Sequence, residues 1–502
     1  MDTLSLLAGG LSSALTPTML LAVLFGTVVG LVIGVLPGLG PAAGVAILLP
    51  VVVGFDGTAA MAALAGVYYG AMFGGAVTSI LLGIPGDAPS VMTVIDGYPL
   101  ARKGMAGPAL GMSVFASFIG GLIGLLLLTV LSQQVARAAL SFGPAEMTAL
   151  MILALSLVTV LGGNNVWKGF VALALGLWIG MIGLDAIVGL PRFTFGSSHL
   201  LDGIDFSVIA VGVFGLGQMF ASLTGDGEAA TLRGYSLRSL LPRWSDIVVS
   251  KWDLLRGSLI GFVVGILPGV GATAATILAY ASAKRLSKTP ERFGHGAIEG
   301  VAAPEAANNS ASYAAMIPLF TLGIPGSATT AVLMGGLLMI GLQPGPLLFQ
   351  QNPEFIWTLF GTFYIGNLVL VFITILLTPL LAATVLISRA LLYPIVFAIV
   401  SFAVFSLGLS VTDVALSLLF GVLGYVMLRL DYPCVPLILG VVLGPMLERG
   451  VRRTLIASQG DMSVFFERPI TLLILAATVA LLALSALRAF RQRRERLLKA
   501  AT

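Results

Sequence analysis

"GVLPGLG" occupies Gly34–Gly40 and "GILPGVG" occupies Gly265–Gly271. Both lie inside long apolar stretches, where proline and glycine are the residues least suited to a helix. An interior proline removes a backbone hydrogen bond at a cost of about 3 kcal/mol, and glycine adds about 1 kcal/mol relative to alanine. In hydrocarbon the freed N–H and C=O groups have no water to turn to. Irregular backbone at membrane depth therefore persists only where it is buried in protein or lines a cavity.

Composition establishes that the chain is a membrane protein. Its 502 residues are 58% hydrophobic and only 10% charged, with a mean hydropathy of +1.05. A soluble domain carries roughly 25% charged residues. Apolar runs recur at Met19–Leu36, Leu110–Leu131, Met147–Leu161, Phe170–Ile182, Ile356–Leu377, Leu391–Leu409 and Ile470–Leu487. Crossing a bilayer takes about 20 apolar residues as a helix, whereas barrel strands are short and alternating. The fold class expected is therefore an all-α polytopic membrane protein. The start, "MDTLSLLAGG", has no basic region of the kind that opens a cleaved signal peptide. A lone Cys434 excludes an intrachain disulfide and a cysteine metal cluster. The net charge of +4 matters less than its placement. After Leu487 come Arg488, Arg491, Arg493, Arg494, Arg496 and Lys499 against Glu495 alone. A basic tail beside a final apolar run reads as cytoplasmic rather than as a nucleic-acid arm.

The quoted motifs open a longer internal parallel. "GVLPGLGPAAG" matches "GILPGVGATAA", with Gly265 lying 231 residues after Gly34. "ILLGIPGDAPSV" matches "FTLGIPGSATTA", with Gly323 lying 240 residues after Gly83. The polar insert "AKRLSKTPERFGHG" absorbs the difference. A weaker echo pairs "NNVWKGFVALALG" with "TDVALSLLFGVLG". The chain is thus divided into a first membrane repeat (1–225), a polar cytoplasmic connector (226–249), a second repeat (250–487) and a basic cytoplasmic tail (488–502). Charge placement bears on orientation, because inverted repeats swap the charge of corresponding loops. Lys284, Arg285, Lys288 and Arg292 follow the second hairpin, while its counterpart "VGFDGTA" has no base. After the "GIPG" segments the bias reverses, with Arg102 and Lys103 against none in "LQPGPLLFQQNPE". Arg449, Arg452, Arg453 and Arg468 run against the pattern. The expectation is two inverted pseudo-symmetric repeats, about 12 transmembrane segments, and Pro-Gly-broken or re-entrant helices.

Four breaks carry the functional reading: Pro37-Gly38, Pro85-Gly86, Pro268-Gly269 and Pro325-Gly326, with Gly40 and Gly271 closing the first motif of each half. For any one of 62 glycines, tight helix packing is the simpler explanation. Four breaks in register point instead to a transporter binding site. Half-helix N-termini suit a carboxylate, and the opposite ends offer carbonyls for Na⁺. Tyr68, Thr78, Ser79, Asp87 and Ser90 surround the first "GIPG". Glu305, Asn308, Asn309, Ser310, Ser327, Thr329 and Thr330 surround the second. Ionisable and amide groups in a membrane face a cavity or a pathway. Asn308 and Asn309 suit a substrate carboxylate or Na⁺, and Asp87 and Glu305 suit a cation or proton. Asp87 reads equally as a helix cap, and Glu305 as an interfacial residue. Asp56, Asp185 and Asp413 read as turn residues, and His295 with Glu299 as a solvated helix face.

At these residues the sequence resembles the large membrane subunit of tripartite tricarboxylate transporters, the TctA family. "GVLPGLGPAAGVAILLP", "GVYYGAMFGGAVTSILLGIPGDAPSV" and "GVAAPEAANNSASYAAMIPLFTLGIPGSATTAV" carry the resemblance, which covers about Gly26 to Glu448. The family pattern falls on Pro37, Gly38, Gly40, Pro268, Gly269, Gly271, Pro304, Glu305, Asn308, Asn309 and both "GIPG" stretches. Asp87 stands where the family pattern has glutamate, and keeps the carboxylate. The resemblance implies a bacterial inner-membrane importer of organic di- or tricarboxylates driven by Na⁺ or H⁺, with no other cofactor. Its partners would be a small membrane subunit and a periplasmic solute-binding protein, and the helices without breaks would dock that subunit or a second copy. Asp87, Asn308 and Asn309 are then the Na⁺ candidates. The other readings are a stand-alone or H⁺-coupled permease for another small solute, or an intramembrane enzyme. The enzyme reading lacks a nucleophile–base pair or metal ligands gathered at membrane depth. No Gly-x-x-x-x-Gly-Lys-Ser/Thr phosphate loop occurs for a nucleotide-driven pump.

Overall fold

The computed structural model describes residues 3–36, 39–161, 165–185, 188–223, 240–269, 271–384 and 389–501. Pro37 and Gly38 of the first break and most of the connector lie outside them. The first half opens with α1 (Thr3–Ala14) and α2 (Pro17–Val35), the latter started by Pro17, which is pre-set for a first helical turn. Beyond the break come α3 (Pro41–Leu48), α4 (Gly57–Leu82), α5 (Val91–Leu100), α6 (Ala106–Ala139), α7 (Pro144–Leu161) and α8 (Val166–Gly180). Asp56 caps α4 by accepting from the Thr58 N–H, and Asn165 caps α8 by accepting from the Trp167 N–H. Gly104, at φ 80°, separates α5 from α6.

A short hairpin follows, with strands β1 (Gly183–Leu184) and β2 (Pro191–Arg192) antiparallel. Next come α9 (Phe206–Ala210), α10 (Gly217–Leu223), α11 (Trp244–Gly265), α12 (Gly271–Leu286), α13 (Glu299–Ala314), α14 (Met316–Leu322) and α15 (Ala328–Met339). α11 begins inside the stretch read as connector. The chain ends with α16 (Leu348–Gln351), α17 (Pro353–Thr384), α18 (Arg389–Gly408), α19 (Val411–Arg429), α20 (Cys434–Ala457), α21 (Val464–Glu467) and α22 (Pro469–Ala501). The basic tail continues the last helix.

Among the described residues, seven helices are long and apolar enough to cross a membrane, and six more apolar helices have 10–17 residues. Among the short ones, Ala328–Met339 begins just beyond the Pro325-Gly326 break. The protein is a multi-pass α-helical membrane protein. It comprises two compact units: Met1–Arg137 with Ser207–Leu428, and Ala138–Phe206 with Arg429–Thr502. All four breaks belong to the first unit.

What holds the first unit together is close backbone contact. A Cβ at Gly26, Gly30 or Gly34 of α2 would come within 2.1, 2.5 or 2.2 Å of the carbonyl oxygens of Ala63, Val67 or Ala71 on α4. On α11 a Cβ at Gly257, Gly261 or Gly265 would come within 2.5, 2.3 or 2.6 Å of the carbonyl oxygens of Ala303, Ala307 or Ala311 on α13. The two glycine ladders are 231 residues apart and their partners 240, the same offsets as the motifs. Small residues four apart let backbones meet where lipid gives helices no hydrophobic reason to associate. Gly261→Val is therefore expected to cost about 3 kcal/mol, the upper end for overpacking, because the obstacle is backbone. A thermal melt in detergent checks this, with Gly9→Val, where a Cβ meets nothing within 4 Å, as the silent control.

Candidate functional site

Two glycines set the geometry of the "GIPG" breaks. Gly83 ends α4 at φ 70° and ψ 16°, and Gly323 ends α14 at φ 68° and ψ 28°, both left-handed. The chain then re-enters a helix through matched caps. In the first half Asp87 Oδ1 accepts from both the N–H and the hydroxyl of Ser90. In the second half Ser327 and Thr330 form a reciprocal capping box. Asp87 thus caps the turn before α5, whose own N-cap position is Ser90. Its Oδ2, however, is buried with no partner.

The breaks of each half lie against one another. The Gly269 N–H donates to the Gly326 carbonyl at 3.0 Å. Gly269 and Gly271 adopt φ 82° and 68°, which only glycine accepts readily. In the first half a Cβ on Gly86 would come within 2.5 Å of the Gly34 carbonyl oxygen, and one on Gly40 would lie 4.0 Å from Asp87 Cβ. The Gly40 N–H donates to the Gln218 side chain at 3.3 Å. Tyr68, buried on α4, lies in electrostatic range of both Asp87 and Ser327.

The predicted polar residues separate into two sets. Thr78 and Ser79 return their hydroxyls to the Gly75 carbonyl of their own helix. Thr329 is buried in the first turn of α15. Glu305, Asn308, Asn309 and Ser310 lie on α13, whose 16 residues are all buried. Both side-chain polar atoms of Asn308, Oδ1 of Asn309 and Oγ of Ser310 are buried without a hydrogen-bond partner, as are the hydroxyls of Tyr69 and Tyr313 and Oδ1 of Asn367. Asn309 Nδ2 donates to the Glu305 carbonyl at 3.1 Å. The Tyr69 and Tyr313 rings lie 6.0 Å apart, with Phe363 against both. An unpartnered buried polar atom costs about 1–3 kcal/mol. So many on one helix and its neighbours set this region apart from an ordinary apolar core.

Glu305 is fully buried within the protein. Oε1 accepts from the Thr93 hydroxyl and Oε2 from the Ser117 hydroxyl at 3.1 Å. Among the described residues no Lys or Arg forms an ion pair with Glu305 or Asp87. A hydroxyl both donates and accepts, so this cage fits the carboxyl charged or neutral. Glu299 is likewise not on a solvated face: α13 starts at Glu299, leaving His295 exposed in the preceding loop and Glu299 buried.

Several participants have no local signature in the sequence. Thr93, Ser117, Tyr69 and Tyr313 are ordinary residues of apolar helices. Asn367, an amide within the apolar run Ile356–Leu377, could have been singled out on the argument applied to Asn308. Asp96 is the largest omission. Its Oδ1 accepts from the N–H groups of Gly294, Gly296 and Ala297 at 2.9, 2.7 and 2.8 Å, and Oδ2 accepts from the Tyr280 hydroxyl at 2.8 Å. The side chain thereby pins the loop before α13, and with it the helix that carries Glu305 and the asparagines. Asp96→Ala leaves three amides without their acceptor. Hydrogen exchange at Gly294–Ala297 is expected to quicken by roughly a hundredfold, about 3 kcal/mol of lost protection. Asp96→Asn keeps an acceptor and should lose less.

A multi-pass chain whose broken helices meet beside buried, unpartnered polar atoms is built as secondary transporters are. The chain belongs to the tripartite tricarboxylate transporter TctA family, whose profile matches residues 20–439. It is similar to a protein of Agrobacterium vitis described as "uncharacterized 52.8 kDa protein in TAR-I ttuC' 3'region", at 38% identity over 96% of this chain and 95% of that one. A second protein of Agrobacterium vitis, described as "uncharacterized protein in TAR-II ttuC' 3'region", is 41% identical over 42% of this chain and 87% of its own length. No solved structure matches this chain significantly.

Proposed function

We propose that this chain is the large permease subunit of a bacterial inner-membrane tripartite carboxylate transporter. It imports an organic di- or tricarboxylate by cation symport, receiving it from a periplasmic solute-binding protein and working with a small membrane subunit. The observation that carries the reading is the set of unpartnered buried atoms on Asn308, Asn309, Ser310 and Asp87 beside breaks that touch within each half. A carboxylate and its accompanying cation supply the donors, acceptors and charge that these atoms lack. Asp87, Asn308 and Asn309 are the Na⁺ ligands of this reading. The alternating-access bundle is the unit with the four breaks, and the other unit is the scaffold.

Loop contacts support inverted repeats within about 12 segments. Lys103, after the first "GIPG" helix, donates to the His295 carbonyl in the second half's hairpin loop at 2.6 Å. Conversely Gly57, at the first half's hairpin loop, lies against Ile340, after the second "GIPG" helix. These pairings are the ones that inverted repeats, with corresponding loops on opposite sides, would make. Arg102, Lys103, Lys284, Arg285, Lys288 and Arg292 share one side, the cytoplasmic one by charge.

A second reading, proton coupling, draws on Glu305, whose hydroxyl cage suits both protonation states. The test is uptake of radiolabelled citrate and smaller carboxylates into proteoliposomes holding the chain, its small subunit and binding protein. Uptake follows an imposed Na⁺ gradient on the first reading and a pH gradient on the second. Uptake indifferent to both overturns the symport proposal.

A further inference from the structure

The second unit holds a polar cluster that contains none of the site residues above. On α20 the apolar run "CVPLILGVVLGPML" gives way to "ERGVRR" at Glu448. Gly176 of α8 packs on the α20 backbone, where a Cβ would come within 2.0 Å of the Leu437 carbonyl oxygen. That contact brings the end of α8, Gly180 to Ile182, beside the polar turn of α20. Arg192 of β2 forks onto Glu448 at 2.8 and 3.2 Å. Arg452 forks onto Asp185 at 3.0 and 3.0 Å and reaches Glu448 at 2.7 Å. The reading of Asp185 as a plain turn residue is incomplete: it takes the Val188 N–H at 2.9 Å and holds Arg452 as well.

These pairs fix two guanidinium groups at the rim of a cavity of about 130 Å³, lined also by Arg449, Met181 and Pro445. Three arginines and Glu448 line it, and Asp185 beside the lining pairs with Arg192 and Arg452, which leaves Arg449 as the uncompensated charge. The Arg192 Nε is buried without a partner. Arg449 forms no ion pair among the described residues. Around the cavity the surface is apolar and aromatic. Trp178 packs on Phe193 at 6.0 Å, and Phe195, Val188 and Leu190 are exposed. Arginine beside exposed aromatic and apolar side chains, where two helices leave their apolar runs, places the cavity at headgroup level. Whole small-molecule ligands take pockets of about 300–1,000 Å³; this one has room for an anionic group with its remainder outside.

We propose that the pocket of Arg192, Arg449 and Arg452 binds the phosphate of an anionic phospholipid. Arg449 holds the phosphate at the mouth of the pocket, beside the ion-paired Arg192 and Arg452, and the acyl chains lie along Trp178 and Phe193. Basic pockets between membrane helices recognise such headgroups.

The test uses the full chain in phosphatidylcholine nanodiscs with and without phosphatidylglycerol, followed by thermal melts and native mass spectrometry of retained lipid. Phosphatidylglycerol should raise the melting temperature and remain bound after transfer to detergent. Arg449→Gln should lower its retention roughly fivefold and abolish the melting shift, whereas Arg449→Lys keeps most of both. Trp178→Ala, which leaves every ion pair intact, should weaken retention as well. Equal retention by wild type and Arg449→Gln overturns the proposal. Equal protection by inorganic phosphate, added to phosphatidylcholine discs, also overturns it by identifying a free-anion site.

Discussion

Asn308→Ala is expected to lower carboxylate uptake roughly thirtyfold, a loss of about 2 kcal/mol of binding free energy. Both polar atoms of this buried side chain lack a partner in the structure without ligand. Their desolvation penalty is recovered only when a ligand fills the site, so the variant forfeits that recovery. In the free protein, removal of two unpaired polar atoms offsets the small cavity that alanine leaves. The signature is therefore two-sided: uptake falls while the melting temperature of the unliganded protein stays level or rises. Asn309→Ala should reduce uptake similarly but with some loss of stability, because its Nδ2 is tied to the Glu305 carbonyl. An Asn308→Ala variant that melts early and transports normally would make the residue structural.

Glu305→Gln is expected to abolish uphill accumulation and spare exchange. Glutamine keeps the volume and an acceptor for Thr93 or Ser117 but loses the charge that carries a proton or attracts a cation. One elementary charge moved across 100 mV is worth about 2.3 kcal/mol, so uncoupling it lowers the accumulation ratio roughly fiftyfold. Substrate can still bind and cross, and counterflow between equal concentrations should continue near the wild-type rate. Proteoliposomes preloaded with unlabelled substrate separate the two. Loss of both activities would assign Glu305 to substrate binding, and loss of neither would remove it from the mechanism.

How much of this was legible beforehand depends on the distance over which each feature is encoded. The membrane class needs only composition. The repeat needs two short motifs, because "PGxG" and "GIPG" are conspicuous in an apolar background. The glycine ladders were legible in principle, as Gly26, Gly30 and Gly34 keep a spacing of four. Their meaning required the partner helix. Asp96 shows the limit. Its three amide donors lie 198–201 residues away, in a loop whose shape depends on glycines at φ 89° and 99°. "VIDGYPL" carries no trace of them. The arginines that opposed the charge pattern illustrate the converse. Arg452 is held by Asp185 and Arg468 by Glu146 at 3.1 Å, so they count as structural pairs before they count as topology signals. No neighbouring residue in sequence reveals those partners.

The glycine ladders also bear on how the chain enters the bilayer. α2 is apolar and half exposed, able to rest in lipid alone, whereas the whole of α4's membrane span is buried by protein. α13 is more demanding still, carrying Glu305 and two asparagines on a helix that presents no lipid-facing residue. Such a segment has no favourable solitary state in hydrocarbon. It needs a protein partner, and in each half the partner helix precedes it in the chain: α2 before α4, α11 before α13. The glycine-rich helix written first in each half thus offers the backbone surface that the more polar helix of the proposed site needs.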